Sequence, residues 1–174
     1  MGLNQLLVDL NHLVRVHPSR QTHELRISPL PQDIAPFMNG TDLIQVLLNL
    51  IVNAFQCSAG AHIVAVEPAI LEKPLDLASI KDGAQDRLLN VESFDNSVPL
   101  LKICVRDNGP GIPEDILPKI FQPYFSTKGA RHGTGLGLNI VQRLVREAHG
   151  ALHVHTSVGE GTAFTLYLRA APLA

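Results

Sequence analysis

Residues 42–56 leave this chain little freedom. Leu43, Val46, Leu47, Leu50, Ile51 and Ala54 recur at helical spacing, and Leu48, Val52 and Phe55 extend the apolar surface almost all the way round. A helix apolar on nearly every side has to be buried, so the rest of the chain must wrap it. Asn39 or Thr41 stands where an N-cap belongs. One line of the helix is nevertheless polar: Gln45, Asn49, Asn53 and Gln56 lie three or four residues apart and share a face. Buried amides need partners. Two arrangements supply them: a hydrogen-bond network to backbone, or an Asn carbonyl completing the shell of a magnesium ion whose other ligands are phosphates and water.

With 174 residues, 45% of them apolar, the chain is one domain by size and can build a core, which excludes disorder. The formal net charge is −2 and no Lys/Arg run stands out, so nucleic acid or an anionic membrane is excluded as the main partner. Cys57 and Cys104 are far apart with no C-x-x-C spacing, which suits a reducing compartment rather than a disulfide scaffold or zinc ribbon. No run of about 18 apolar residues exists, and no basic-then-apolar leader opens the chain. These features predict a soluble cytoplasmic segment without direct membrane contact, and leave open a membrane-anchored parent protein.

A second helix is expected over 136–148, with Ile140, Val141, Leu144 and Val145 inward and Gly150 at a left-handed stop. Residues 3–14 fit a helix, or a short strand at 8–10 followed by a helix capped by Asn11. Strands are expected at 23–28, 63–66 and 102–106, and a hairpin at 152–156 and 162–168 around Gly159-Glu160-Gly161. Pro29, Pro31 and Pro36 predict a loop. Residues 67–99 are too long for a structureless loop and predict a helical turn around 84–91. Residues 113–132 lack a continuous apolar pattern and predict a mobile lid.

Two glycine clusters carry chemistry. Asp107-Asn108-Gly109-Pro110-Gly111-Ile112 follows a strand. It offers a carboxylate beside backbone that a flat ring can approach, and a carboxylate accepts from an exocyclic amine such as adenine's. The same residues also suit a plain turn. Gly133-Thr134-Gly135-Leu136-Gly137-Leu138 opens a helix, where backbone N–H groups bind phosphate. It is not a P-loop, because Gly-Lys-Ser/Thr is missing, nor a dinucleotide fingerprint, because the third glycine comes one residue early.

In this order the elements resemble the histidine-kinase branch of the GHKL ATPases. Leu48-Asn49-Leu50-Ile51-Val52-Asn53-Ala54 resembles the N box, and Asp107–Ile112 the first glycine box. Ile120-Phe121-Gln122-Pro123-Tyr124-Phe125-Ser126-Thr127-Lys128 resembles the F box, Gly133–Leu138 the second glycine box, and Gly159–Phe164 the closing Gly-x-Gly-Thr-x-Phe. The flavour is closest to nitrogen-regulator-like kinases. The resemblance implies an α+β two-layer sandwich, a mixed and mostly antiparallel sheet with about three helices on one face. It implies one ATP-binding catalytic domain over 1–174, with an atypical insertion at about 68–98 and the phosphoacceptor dimerisation domain absent.

It further implies a protein histidine kinase domain. Such a domain binds Mg–ATP and passes the γ-phosphoryl group to a histidine on a separate phosphoacceptor domain of the same parent, with a response regulator downstream. Another GHKL ATPase, a protein serine kinase or a degenerate nucleotide-binding module are the alternatives. Asn53 would bind magnesium, Asn49 would lie near the phosphates and Lys128 would contact them. Asp107, Gly109, Gly111, Ile112 and Thr162 would form the base site. Gly133, Thr134, Gly135, Leu136, Gly137 and Leu138 would close over the phosphates.

Gln56 departs from the pattern, since many relatives carry a basic residue there; Lys128 or Arg131 would have to compensate. Hydrolysing relatives carry glutamate at the Asn49 position, and its absence here suits transfer to histidine. His23-Glu24-Leu25-Arg26-Ile27-Ser28-Pro29-Leu30 imitates a phosphoacceptor box, but only about 30 residues separate it from Asn53, too few for a helical hairpin; it reads as strand. His12 fails for the same lack of room. His149, His153 and His155 invite a metal reading, but no cysteine or acid completes a set, and an exposed face is expected. Arg131 and His132 read as solvated lid residues.

Overall fold

Three helices cover one face of a seven-stranded sheet in the computed structural model, which describes residues 1–20, 23–58, 60–125 and 137–173. In chain order the elements are α1 (Leu3–Arg15), β1 (Glu24–Ile27), β2 (Ile34–Pro36), α2 (Gly40–Phe55), β3 (Ile63–Leu71), β4 (Asp86–Leu89), β5 (Leu100–Asp107), α3 (Gly137–Glu147), β6 (Ala151–Ser157) and β7 (Gly161–Pro172). The sheet runs β1-β3-β5-β7-β6-β4, with β2 paired to the far end of β7. Only β1 and β3 are parallel, so the sheet is mixed and mostly antiparallel, the expected α+β sandwich.

The apolar helix α2 is the centre of the core. Leu43, Val46, Leu47, Leu50, Ile51, Ala54 and Phe55 are all buried. Asn39 caps it, its side chain accepting from the Thr41 amide at 2.8 Å. The long apolar register of α1 is one continuous helix, which excludes the strand alternative at 8–10: Leu3, Leu6, Leu7, Leu10 and Val14 all face inward. The α3 helix adds Val141, Leu144 and Val145.

Beneath the helices, alternation along each strand sends every second residue into the core. On β5 these are Leu101, Ile103 and Val105; on β7 Phe164, Leu166 and Leu168; on β6 Leu152 and Val154. Paired residues share a face, so these rows stack across the sheet.

Several sequence expectations change. Pro36 does not belong to a loop; it ends β2, where an edge position spares it a ladder donor. The strand expected at 63–66 continues to Leu71 through Pro68, because β5 offers an equally long partner. The turn expected at 84–91 is strand β4, paired antiparallel to β6, so cross-strand pairing overrides local propensity. In the segment expected to be a lid, Leu117, Ile120 and Phe121 are buried in the core, so its first half is anchored. Gly150 is not the left-handed residue after α3; His149 takes that conformation with φ 55°. Gly150 serves close packing instead, since a Cβ there would stand 2.8 Å from both the Leu168 side chain and the Tyr167 carbonyl.

Candidate functional site

At one end of the sheet the core rows stop being apolar. The next inward position after Val105 on β5 is Asp107; its register partner on β7 is Thr162, whose partner on β6 is Thr156. All three are buried. The Thr156 hydroxyl lies 2.9 Å from the Thr162 hydroxyl, donates to the Gly161 carbonyl at 3.2 Å and accepts from the Ile112 amide at 2.8 Å. With the Thr156 proton on Gly161, the hydroxyl pair is completed by Thr162 donating. One hydroxyl thus ties β6, β7 and the first glycine turn together. Thr156 was not singled out in the sequence, although its Thr162 partner was.

Asp107 closes its own turn: Oδ1 accepts from the Gly109 amide at 2.9 Å. Burial pushes this carboxyl above the usual range, while the Gly109 amide, His62, the Thr162 amide and the Cys57 thiol pull against it. Glycines permit the close packing around it. A Cβ on Gly109 would stand 2.5 Å from Cys57 Sγ and 2.9 Å from Asp107 Oδ1. Gly111 (φ 77°) and Gly161 (φ 118°) adopt backbone closed to most side chains, and a Cβ on either would collide with the Ser157 or Asp107 carbonyl. The turn is pinned further by the Gly159 amide on the Pro110 carbonyl at 2.8 Å and the Ile63 amide on Asn108 Oδ1 at 2.8 Å.

The polar seam of α2 is not uniformly buried: Gln45 is exposed, and Asn49, Asn53 and Gln56 are half-buried. Asn49 Nδ2 donates to the Gly137 carbonyl at 3.5 Å, joining α2 to the start of α3. Gln56 is turned to Ser19, with Nε2 donating at 2.8 Å, so the residue standing in for a basic one is engaged with the loop after α1. Ile112 and Leu138 pack partly buried against the core. The structure thus brings Asp107, Gly109, Gly111, Ile112 and Thr162 together, and sets Asn49 beside Gly137. Lys128, Gly133, Thr134, Gly135 and Leu136, with Arg131 and His132, lie outside the described residues.

His153 and His155 are not on a bare face. Nε2 of His153 and Nδ1 of His155 meet the same oxygen of Asp86, at 2.8 and 2.9 Å. The acid stands on β4, in the segment where the sequence predicts a helical turn. Among the described residues no group of three or more His, Cys, Asp or Glu forms a metal cage. A magnesium site is a different matter, because one or two protein oxygens suffice and the half-buried Asn49 and Asn53 amide oxygens on α2 are ligands of the right hardness.

Known proteins resemble this chain in sequence and in fold. Residues 38–172 match the family described as histidine kinase-, DNA gyrase B-, and HSP90-like ATPase. The sensor histidine kinase ZraS of Escherichia coli K12 is 33% identical over 92% of this chain and 30% of its own length. The sensory histidine kinase/phosphatase NtrB of Rhizobium leguminosarum bv. phaseoli is 31% identical over 92% of this chain and 39% of its own length. The chain therefore spans about a third of these relatives. The mycobacterial sensor histidine kinase MprB superposes with a TM-score of 0.70 over 99% of this chain and 97% of its own, at 21% identity, a likeness of fold. No helix among the described residues is long and apolar enough to cross a membrane.

Proposed function

The chain belongs to the family of histidine kinase-, DNA gyrase B- and HSP90-like ATPases, and on that premise we propose that it is the ATP-binding catalytic domain of a sensor kinase, passing the γ-phosphoryl group of Mg–ATP to a histidine on a separate phosphoacceptor domain. A response regulator would receive the phosphoryl group in turn. The observation that carries this reading is the row Asp107–Thr162–Thr156 at the end of the core. It is a buried acceptor beside three glycines whose missing Cβ atoms let β5, the turn after it and the β6–β7 turn pack closely around the carboxylate.

In this reading Asp107 accepts from the exocyclic amine of adenine, Thr162 supports the base, and Gly109, Gly111 and Ile112 shape its slot. Asn53 and Asn49, on the half-buried polar line of α2, are offered to magnesium and the phosphates, where magnesium would neutralise phosphate charge. Lys128 and the stretch Gly133–Leu138 are the proposed remaining phosphate contacts. The chain's contribution to transfer is positioning and charge neutralisation, with the acceptor histidine supplying the nucleophile. Asparagine at position 49 fits that division of labour, since an amide does not activate water as a carboxylate does.

The test is calorimetry with an ATP analogue and with GTP, with and without magnesium, followed by phosphotransfer to an added acceptor domain. ATP-analogue binding strengthened by magnesium, with no transfer after Asn53→Ala in a variant that keeps its fold, is the expected result. Full transfer by that variant would make the polar seam structural only.

A further inference from the structure

The first glycine turn leans on the β6–β7 hairpin at three points. The Gly159 amide donates to the Pro110 carbonyl at 2.8 Å. Gly111 runs so close to Ser157 that a Cβ on it would stand 2.4 Å from the Ser157 carbonyl oxygen. The Ile112 amide donates to the Thr156 hydroxyl at 2.8 Å. Of these three contacts, the last alone is made by a side chain.

Thr156 is 1% exposed, so its hydroxyl has to be satisfied within the protein. A hydroxyl has one proton and two lone pairs. The Ile112 amide takes one lone pair, the Gly161 carbonyl at 3.2 Å receives the proton, and the Thr162 hydroxyl at 2.9 Å donates to the second lone pair. The same count commits the proton of Thr162 and so sets the direction of that hydroxyl. The backbone of Thr156 is held as well. Its amide donates to the Gln85 carbonyl at 2.9 Å, just ahead of β4, and it stands opposite Thr162 in the β6–β7 register. Branching at Cβ restricts χ1, so the hydroxyl is aimed from a strand fixed on both sides.

We propose that Thr156 is a positioning residue of the base site: its hydroxyl fixes the Ile112 wall of the slot and the direction of the Thr162 hydroxyl beside Asp107, so that the site is formed before nucleotide arrives. Buried as it is, Thr156 acts through Ile112 and Thr162 rather than by touching the base, and the proposal rests on the nucleotide-binding reading above.

Two measurements test it. In the unmodified, nucleotide-free protein, amide hydrogen exchange followed by NMR should find the Ile112 amide protected like a strand amide, although Ile112 lies outside any strand. Exchange at Ile112 as fast as in an open loop would overturn the proposal, whether or not any variant folds. The second is the affinity of a non-hydrolysable ATP analogue and of ADP, each with and without magnesium, for the wild type, Thr156→Val and Thr156→Ser, with the fold of each checked by circular dichroism. Valine keeps the shape but offers no lone pair to Ile112 or Thr162. That variant should bind both nucleotides about tenfold more weakly, the scale of one buried hydrogen bond, while magnesium strengthens binding by the same factor as in the wild type. Serine, which restores the hydroxyl, should return both affinities to within about threefold of the wild type. A folded Thr156→Val protein with wild-type affinities would overturn the proposal, and so would a folded Thr156→Ser protein as weak as Thr156→Val. A loss that appears only with magnesium would place the effect at the phosphates and overturn it equally. A wild type that binds no adenine nucleotide is a different result: it sinks the nucleotide reading, and this proposal with it.

Discussion

Asp107 and Thr162 sit directly opposite one another across β5 and β7, each the last inward-facing residue of a row that is otherwise apolar. The polar site is therefore not an addition to the core but its open end. Strands long enough to bury three inward residues deliver the fourth to the rim, and there the sequence changes from Leu, Ile, Val and Phe to Asp and Thr.

Asp107→Asn should separate binding from stability. Binding of an ATP analogue should weaken by about 1–3 kcal/mol, the scale of a hydrogen bond to a charged group. The fold should move the other way. Because burial raises the folded pKa of Asp107, its carboxyl favours the folded state below the unfolded value and loses that contribution as pH rises through the raised one. At neutral pH the wild type carries a buried charge that asparagine does not. Thermal melts without nucleotide should show the variant more stable than wild type at pH 7 and the gap closing near pH 3. A less stable variant at pH 7 would be the contrary result.

Gly159 and Gly161 share one turn and give a controlled comparison. Both have positive φ, but a Cβ on Gly159 meets nothing within 4 Å, whereas one on Gly161 collides with the Asp107 carbonyl. Gly159→Ala should cost about 1–2 kcal/mol, the conformational penalty alone. Gly161→Ala adds displacement of the β5 end, so it should cost more and also reduce nucleotide affinity. Equal losses in urea unfolding, with affinity untouched, would contradict the close approach.

Much of this was legible in the sequence because periodicity is local. The α2 and α3 helices and the closing hairpin follow from apolar spacing and turn glycines, and Asp107 stands out as an acid ending an alternating strand. What was not legible depended on distant partners. The β4 strand has no strong alternation and exists because β6 pairs with it, and with it came Asp86, the acid that the His153 and His155 pattern lacked. Thr156 carries no motif signal, since its role comes from β7 and the Gly109–Ile112 turn. Period-2 alternation along β6, counting Thr156 with Leu152 and Val154, is the signal that marks it as inward-facing.

The Asp86 contacts predict an edge that loosens in acid. Burial pushes its carboxyl up, but hydrogen bonds from His155 and His153 outweigh it and hold it below the ordinary range. A depressed pKa gives stability that is present above the unfolded value and lost as pH falls through the folded one. His155 is half exposed, so solvent screens that pair, and His153, 18% exposed, should dominate. Asp86→Ala should destabilise by about 1 kcal/mol and speed hydrogen exchange in β4. Nucleotide affinity should not change, because Asp86 and His155 face away from the helix side that carries Asp107. Slow, wild-type exchange at Arg87 and Leu89 in the variant would show that backbone pairing alone holds the edge.

The last expectation concerns His23, whose surroundings in sequence imitate a phosphoacceptor. In the fold it is a structural ring: Nδ1 is occupied by the His62 amide, one face lies on Phe55, and the His62 ring is tilted against it at 4.3 Å. Phosphoryl transfer needs the accepting nitrogen in line with phosphorus at about 3–3.5 Å, and a ring clamped between Phe55 and His62 is not delivered to the phosphate end of a nucleotide. Incubated alone with Mg–ATP, this chain should form no phosphohistidine at His23. Adding a phosphoacceptor domain in trans should bring labelling on that domain, slowly, because a tether normally supplies the effective concentration. His23→Phe, which keeps the stack on Phe55 but removes the nitrogen, should leave that labelling rate within about twofold while costing about 1 kcal/mol for the lost hydrogen bond. Acid-labile, base-stable phosphate mapped by mass spectrometry to His23 of the isolated chain would overturn the structural role assigned to the ring.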